Sequence, residues 1–347
     1  MRVNWSDAIR FVLALLAGLS GVACLPARAA DPVAIQFTLD RPINAVAAPF
    51  VMAQVGGLFS AEGLAVNINT AAASPEAIAQ VTSGASEMAL VDINTLIRHR
   101  DKEKPDTPRA KAVFVLLNDA GYSIIARKSR GIHSLADLSG KSLGVVDGDP
   151  GAKVWPAVAR QNGIKPDNVK QSMINQAVRE PMLSAGQVDA VTGSSFLSAI
   201  NLRDRGVPAD DLVLLKFSDY GSEAYGLAVI VNPAFAAAKP EAVKGFIRAT
   251  IGGLQLAIKQ PTIATEQVIS RMDGGSRELE LERLRTILRD NVLTAEVRRN
   301  GLGGIDPARI EKSIDQIAED FKFQKRPTAG DIFDDGFLPP RDVRLIN

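Results

Sequence analysis

The residues best placed to do chemistry in this chain are acids, amides and hydroxyls that follow short apolar runs. Asp40, Arg41 and Asn44 follow VAIQFTL, and Asp92 and Asn94 follow MALV. Asn118 and Asp119 follow a third run, Asp149 follows SLGVV within a loop containing Gly148 and Gly151, and Ser194 and Ser195 close a run that Asp189 opens. If those runs are strands of α/β units, their carboxyl ends are where small ligands are received, by hydrogen bonds rather than by covalent steps. Ser74, followed by Pro75, has the form of a helix start, whose backbone N–H groups and dipole favour an anion or an acceptor group. Tyr220 and Tyr225 flank Gly221, and a flat aromatic there can stack on a planar ligand. Each of these residues also has a plainer use as a cap, a turn or packing. The acids Asp40, Asp92, Asp119 and Asp149 outnumber the nearby cations Arg41 and Lys153, which leans the ligand towards a nitrogen heterocycle rather than a sulfonate-type anion.

Covalent and metal chemistry are poorly supplied. The two histidines, His99 and His133, fall in a charged helix and a turn, and the single cysteine is Cys24. That set makes a poor transition-metal site. Gly140-Lys141-Ser142 ends like a phosphate-binding loop, but the glycine required earlier would fall at Leu135. No catalytic residue, metal or cofactor is expected.

Two stretches about a hundred residues apart supply the elements that must position these groups, and they follow one plan. In residues 58–92 and 158–193 a helix ends in Gly63-Leu64 or Gly163-Ile164 and a strand follows. A second helix then ends in Gly84 or Gly186, and three residues later Glu87 or Asp189 opens another strand. Glycine takes the left-handed turn that stops a helix most easily. Helix-Gly-strand units repeated in this way predict parallel α/β construction, done twice, with a ligand cleft between two lobes.

The pattern predicts strands over 33–39, 64–69, 88–91, 112–117 and 122–127, and helices over 48–61 and from Ser74. A new lobe is expected to begin with the strand Ser142–Val146 and to run to about Phe217, and Tyr225–Val231 is expected to return the chain. Beyond Pro233 the apolar stripes (Val243, Phe246, Ile247, Ile251, Leu254; Leu281, Leu284, Leu288, Val292; Ile310, Ile314, Ile317) predict helices covering the first lobe. The expected division is 30–124 with 228–347 as lobe 1 and 125–227 as lobe 2. Two crossings, near Tyr122–Arg127 and Tyr225–Val231, would form a two-strand hinge.

Residues 1–29 read as an export signal. Arg2 and Arg10 precede or flank an apolar run from Phe11 to Leu25, too short to span a membrane comfortably, and Ala27-Arg28-Ala29 offers a cleavage point. Gly21 disfavours lipidation at Cys24. Cleavage removes three Arg and one Asp and takes the net charge from +1 to −1. Near-neutral charge argues against nucleic acid or an anionic membrane as partner. A cysteine-free exported chain must be held by its core.

Four landmarks in order carry a family resemblance: PFVMAQVGGLFSAEGL (49–64), SLADLSGKSLG (134–144), SAGQVDA (184–190) and NPAF (232–235). The chain resembles the periplasmic substrate-binding proteins of ABC importers for nitrate, sulfonates, taurine and thiamine-pyrimidine precursors. The resemblance implies a type II periplasmic-binding-protein fold, periplasmic location, a small organic solute and an inner-membrane ABC permease as partners. Sulfonate or taurine capture is the alternative within the class. Enzymes that make the thiamine pyrimidine share the fold but carry a cysteine-rich iron site and a donor histidine, which a cysteine-free mature chain lacks. A sensory ligand-binding component is the third reading.

Overall fold

The computed structural model describes residues 31–103 and 108–346. The export segment, its cleavage point and Cys24 lie outside them. Among the described residues two five-stranded sheets form. In the first, β1 (Val33–Leu39) runs parallel to β2 (Leu64–Thr70) and β3 (Met88–Asp92), because the intervening helices each turn the chain back in the same direction. β4 (Lys111–Val115) and β10 (Leu227–Val231) complete the order β2-β1-β3-β10-β4, with β10 antiparallel to both neighbours.

The second sheet repeats that plan. β6 (Ser142–Val146), β7 (Lys170–Ile174) and β8 (Ala190–Ser194) take the places of β1, β2 and β3. β5 (Tyr122–Arg127) and β9 (Leu212–Lys216) give the order β7-β6-β8-β5-β9, with β5 in the antiparallel position that β10 holds in the first sheet. The repeated acids have the same job in both lobes. Glu87 Oε2 accepts from Gln36 N on β1 at 2.7 Å, and Asp189 Oδ2 accepts from Ser142 N on β6 at 2.8 Å. Each ties the start of the third strand to the first. Gly84 and Gly186, with φ of +80° and +72°, end the preceding helices as the repeat predicts.

Three expectations are corrected. The helix over 48–61 is broken: Ala48–Val55 ends at Gly56, and Gly57 with φ of +67° starts the separate turn Leu58–Ala61. The second sheet does not begin at Ser142, because β5 already belongs to it by antiparallel pairing with β8 and β9. The chain therefore crosses between sheets in 116–121, before Tyr122, and returns in 217–226, before Leu227. A boundary at 124/125 cuts β5, and Tyr122–Arg127 is a sheet strand rather than a crossing.

Helices cover both faces of each sheet. On the first, Phe37, Phe50, Phe59 and Phe246 cluster with neighbouring ring centres 4.6 to 6.3 Å apart. The Pro240–Lys259 helix lies so close to Ala48–Val55 that a Cβ at Gly253 would stand 2.0 Å from Pro49 O. Ile310, Ile314 and Ile317 of the Pro307–Ala318 helix pack on the other face with Ile78 and Ile97. In the second lobe Trp155 is fully buried against Phe217, with ring centres 6.2 Å apart.

Candidate functional site

β1 and β3 are neighbours, so the residues that follow them converge. Asp40 is 5 % exposed and Asp92 3 %. Ser74 joins them: its Oγ donates to Asp40 Oδ2 at 2.5 Å and accepts from Asp92 N at 2.9 Å. Ser74 is thus not the helix cap that its place before Pro75 predicts. Ala73 holds the cap position, without a side-chain bond, and the serine hydroxyl turns inward. Arg41 Nε and Nη2 donate back to Asp40 at 2.7 and 3.2 Å.

Asp92 divides its oxygens between two tasks. Oδ1 caps the Ile93–His99 helix, accepting from Thr95 N at 2.8 Å and Thr95 Oγ1 at 3.1 Å. Oδ2 accepts from the Tyr122 hydroxyl, which comes from the other lobe at the start of β5. Asn94 braces the same seam, donating to Tyr122 OH at 2.9 Å and Tyr225 O at 2.7 Å. Burial pushes the Asp92 carboxyl above the usual carboxylate range and the Asp40 charge adds to this, against hydrogen bonds from Tyr122 and Thr95 that hold it down. Burial and the facing Asp92 push the Tyr122 phenol well above its ordinary value. Burial lowers the Arg98 guanidinium, opposed chiefly by the charge of Asp92. At Arg41 burial again lowers, but Asp40 outweighs it and the net direction is upward.

The second lobe faces this cluster with the 147–151 loop. Gly151 sits over Tyr122, where a Cβ would lie 3.5 Å from Tyr122 Cβ. Asp149 Oδ1 accepts from Gly151 N at 2.9 Å and Oδ2 from Thr192 Oγ1 at 2.9 Å, so Asp149 ties this loop to β8. Ser194 lies opposite Tyr122 in the β5–β8 pairing. Ser195 is 3 % exposed, and its Oγ has no hydrogen-bond partner.

Other expected residues stand apart. Asn44 Oδ1 accepts from Val46 N at 2.9 Å and caps a short turn. Tyr220 packs beside the second-lobe core. Tyr225 is buried, its hydroxyl donates to Glu296 Oε1 at 2.7 Å, and the Arg309 guanidinium lies 4.0 Å from its ring centre. That ring face is taken, so Tyr225 offers no stacking surface. The aromatic at the seam is Tyr122.

Arg179 and Glu180 were not expected. They follow β7, are 7 % and 6 % exposed, and pair with each other at 2.9 Å. Charged residues read from sequence look solvated; only their exposed neighbours Gln176–Val178 make the contrast visible. The cavity beside the cluster, lined by Asn94, Arg98, Lys153 and Ser313, holds about 10 Å³, room for about one water.

The family model described as NMT1/THI5 like matches residues 44–264, which contain Ser74, Asp92, Asn94 and Tyr122 of this cluster; Asp40 and Arg41 lie just before the matched range. The chain belongs to that family. Among its relatives, a formylaminopyrimidine-binding protein of Halalkalibacterium halodurans is 25 % identical over 290 residues, 81 % of this chain and 86 % of that one. A 4-amino-5-hydroxymethyl-2-methylpyrimidine phosphate synthase of Legionella pneumophila is 25 % identical over 221 residues, 63 % of this chain and 67 % of that one. Among solved structures, the periplasmic aliphatic sulphonate binding protein SsuA of Escherichia coli superposes with a TM-score of 0.66 at 14 % identity, covering 85 % of this chain and 95 % of that one. This NMT1/THI5-like chain has the two-lobed α/β fold of periplasmic binding proteins. None of its described helices is long and apolar enough to cross a membrane, and the described residues hold no cluster of three or more His, Cys, Asp or Glu suited to a metal.

Proposed function

We propose that this chain is the exported solute-binding component of an ABC import system and that its solute is an N–H-rich heterocycle of the thiamine-pyrimidine kind. One observation carries the choice of solute. The partly exposed Arg41 and the buried Arg179 are each matched by an adjacent acid, Asp40 and Glu180. Asp92 receives bonds only from neutral donors, Thr95 and Tyr122. That buried carboxyl has no directly bonded cation, although Arg98 and Lys153 line the cavity beside it, and it suits ring N–H or amine donors better than a sulfonate. The relative named for formylaminopyrimidine binding supports the same reading.

Solute would enter as the lobes part, since the small cavity leaves no room for a ring. Asp40, Arg41, Ser74 and Asp92 would receive it from one side, and Asp149, Arg179, Glu180, Ser194 and Ser195 from the other. Closure requires that solute bind the closed form better than the open one.

Thermal unfolding with a panel of aminopyrimidines, taurine, alkanesulfonates and nitrate tests this. Only the aminopyrimidines should raise the melting temperature, following RT ln(1 + [L]/Kd). A rise with sulfonates alone would overturn the heterocycle reading. The Legionella relative favours a second, enzymatic reading, and conversion of a bound aminopyrimidine or its formation by the purified chain would establish it instead.

A further inference from the structure

The two crossings run side by side. Gly226 N donates to Leu117 O at 2.9 Å, and a Cβ on Gly226 would stand 2.9 Å from both Ala120 Cα and Leu117 Cβ. Arg309, on the Pro307–Ala318 helix, holds both at once. On the outgoing crossing its Nη2 donates to Asn118 O at 2.9 Å and its Nη1 to Asn118 Oδ1 at 3.1 Å. On the returning crossing Nε donates to Glu223 O and Nη2 to Ala224 O, both at 3.1 Å. The remaining Nη1 bond goes to Glu296 Oε2 at 2.9 Å. All five guanidinium N–H groups are used, and the plane covers the Tyr225 ring.

The surroundings hold the guanidinium in place. Glu296 Oε1 accepts from Asn118 Nδ2 at 3.1 Å and from Tyr225 OH at 2.7 Å, and Thr294 Oγ1 donates to Asn118 Oδ1 at 2.7 Å. Four of the five bonds end on the crossings, three of them on backbone carbonyls whose positions change if either crossing bends. A lysine keeps the charge but has a single rotatable ammonium and cannot span both segments in this fork geometry.

We propose that Arg309 is a positioning residue that sets the angle between the lobes, and through it the fraction of chain in the closed, solute-retaining form. The inference needs lobe motion but not the identity of the solute. A binding-competent state populated only in part lowers apparent affinity by that fraction, so loosening the clamp would weaken capture without touching the seam.

The test is made without solute, which separates its failure from failure of the aminopyrimidine reading. Cysteines replace exposed Thr82 on the first lobe and exposed Lys170 on the second, in the full chain with Cys24→Ser, and carry spin labels. Electron–electron resonance should give one narrow distance when Arg309 is present, and a broader distribution shifted to longer distances in Arg309→Lys and Arg309→Ala. The control is Arg326→Lys, since Arg326 binds Glu311 and Asp315 on the same helix and neither crossing, and it should leave the distribution unchanged. If Arg309→Ala does not fold, Arg309→Lys decides. An unchanged distribution in folded Arg309→Lys overturns the proposal, as does an equal shift in the control or loss of folding in Arg309→Lys, which would make the residue a determinant of the fold instead.

Discussion

Asp92 joins three neighbourhoods: the carboxyl end of β3, the first turn of the helix that follows, and Tyr122 of the opposite lobe. Asn replaces it without losing the cap, since an amide oxygen also accepts from Thr95 N. Its amide nitrogen stands where Oδ2 accepts from Tyr122, so Asp92→Asn loses that acceptor as well as the negative charge that would hold a donor-rich ring. Affinity for an aminopyrimidine should fall about tenfold or more, which is roughly 1.4 kcal/mol, measured by calorimetry. Stability carries a pH-dependent part of the opposite sign. The native carboxyl is raised above its unfolded value, so the charged form costs stability above the native pKa, and that cost is relieved as pH falls through the native pKa towards the unfolded one. Relative to the parent, the melting temperature of Asp92→Asn should therefore be higher at neutral pH than at acid pH, whatever offset the lost Tyr122 bond imposes. A relative melting temperature that rises on acidification would contradict the assigned direction. At this scale the sequence is legible where chemistry sits beside a strand end, as with Asp40 and Asp92. It is illegible where the partner is remote. Nothing near Ser74 tells that its hydroxyl bridges Asp40 and Asp92, 34 and 18 residues away, and Tyr122 reads only as a β-former until the second sheet places it opposite the first.

Elements show the same divide between local and distant causes. The glycine stops, the repeated acids and the apolar stripes are local signals, and the structure places Gly84, Gly186, Glu87, Asp189 and the Phe246 stripe accordingly. The membership of β5 is settled by antiparallel pairing with β8 and β9, strands that begin 68 and 90 residues after it, so strand propensity alone assigns it to neither lobe. Close helix contact is another distant cause. Alanine at Gly253, in mid-helix, would gain about 1 kcal/mol of intrinsic helix preference. Its Cβ would also meet Pro49 O at 2.0 Å and Ala53 N at 2.7 Å, backbone atoms that cannot swing aside. Overpacking of this kind costs about 1–3 kcal/mol or more, and the backbone contact puts Gly253→Ala at the upper end. Urea unfolding should therefore show Gly253→Ala less stable than the parent; equal or greater stability would mean that the two helices separate at little cost.

For the whole molecule, ion pairs bridge the lobes on both flanks. Lys216 reaches Asp290 at 3.1 Å on one side and Arg160 reaches Asp320 at 2.6 Å on the other. Both are partly exposed, so each adds little and salt screens it. Their combined effect bears on the balance between closed and open forms rather than on folding. Raising ionic strength from low to about 1 M, where the screening length is about 3 Å, should increase the radius of gyration of the solute-free chain while leaving its circular dichroism unchanged. A radius independent of salt would show that these pairs do not help to hold the lobes together.

The contact of Gly226 with Leu117 has a mechanical corollary. A single tether would let one half swivel freely on the other, whereas two tethers lying abreast leave rotation about one line. Any two reporters set across the mouth should then rise and fall in fixed proportion, whichever solute is bound, and a pair that broke the proportion would reveal a twist that this arrangement forbids.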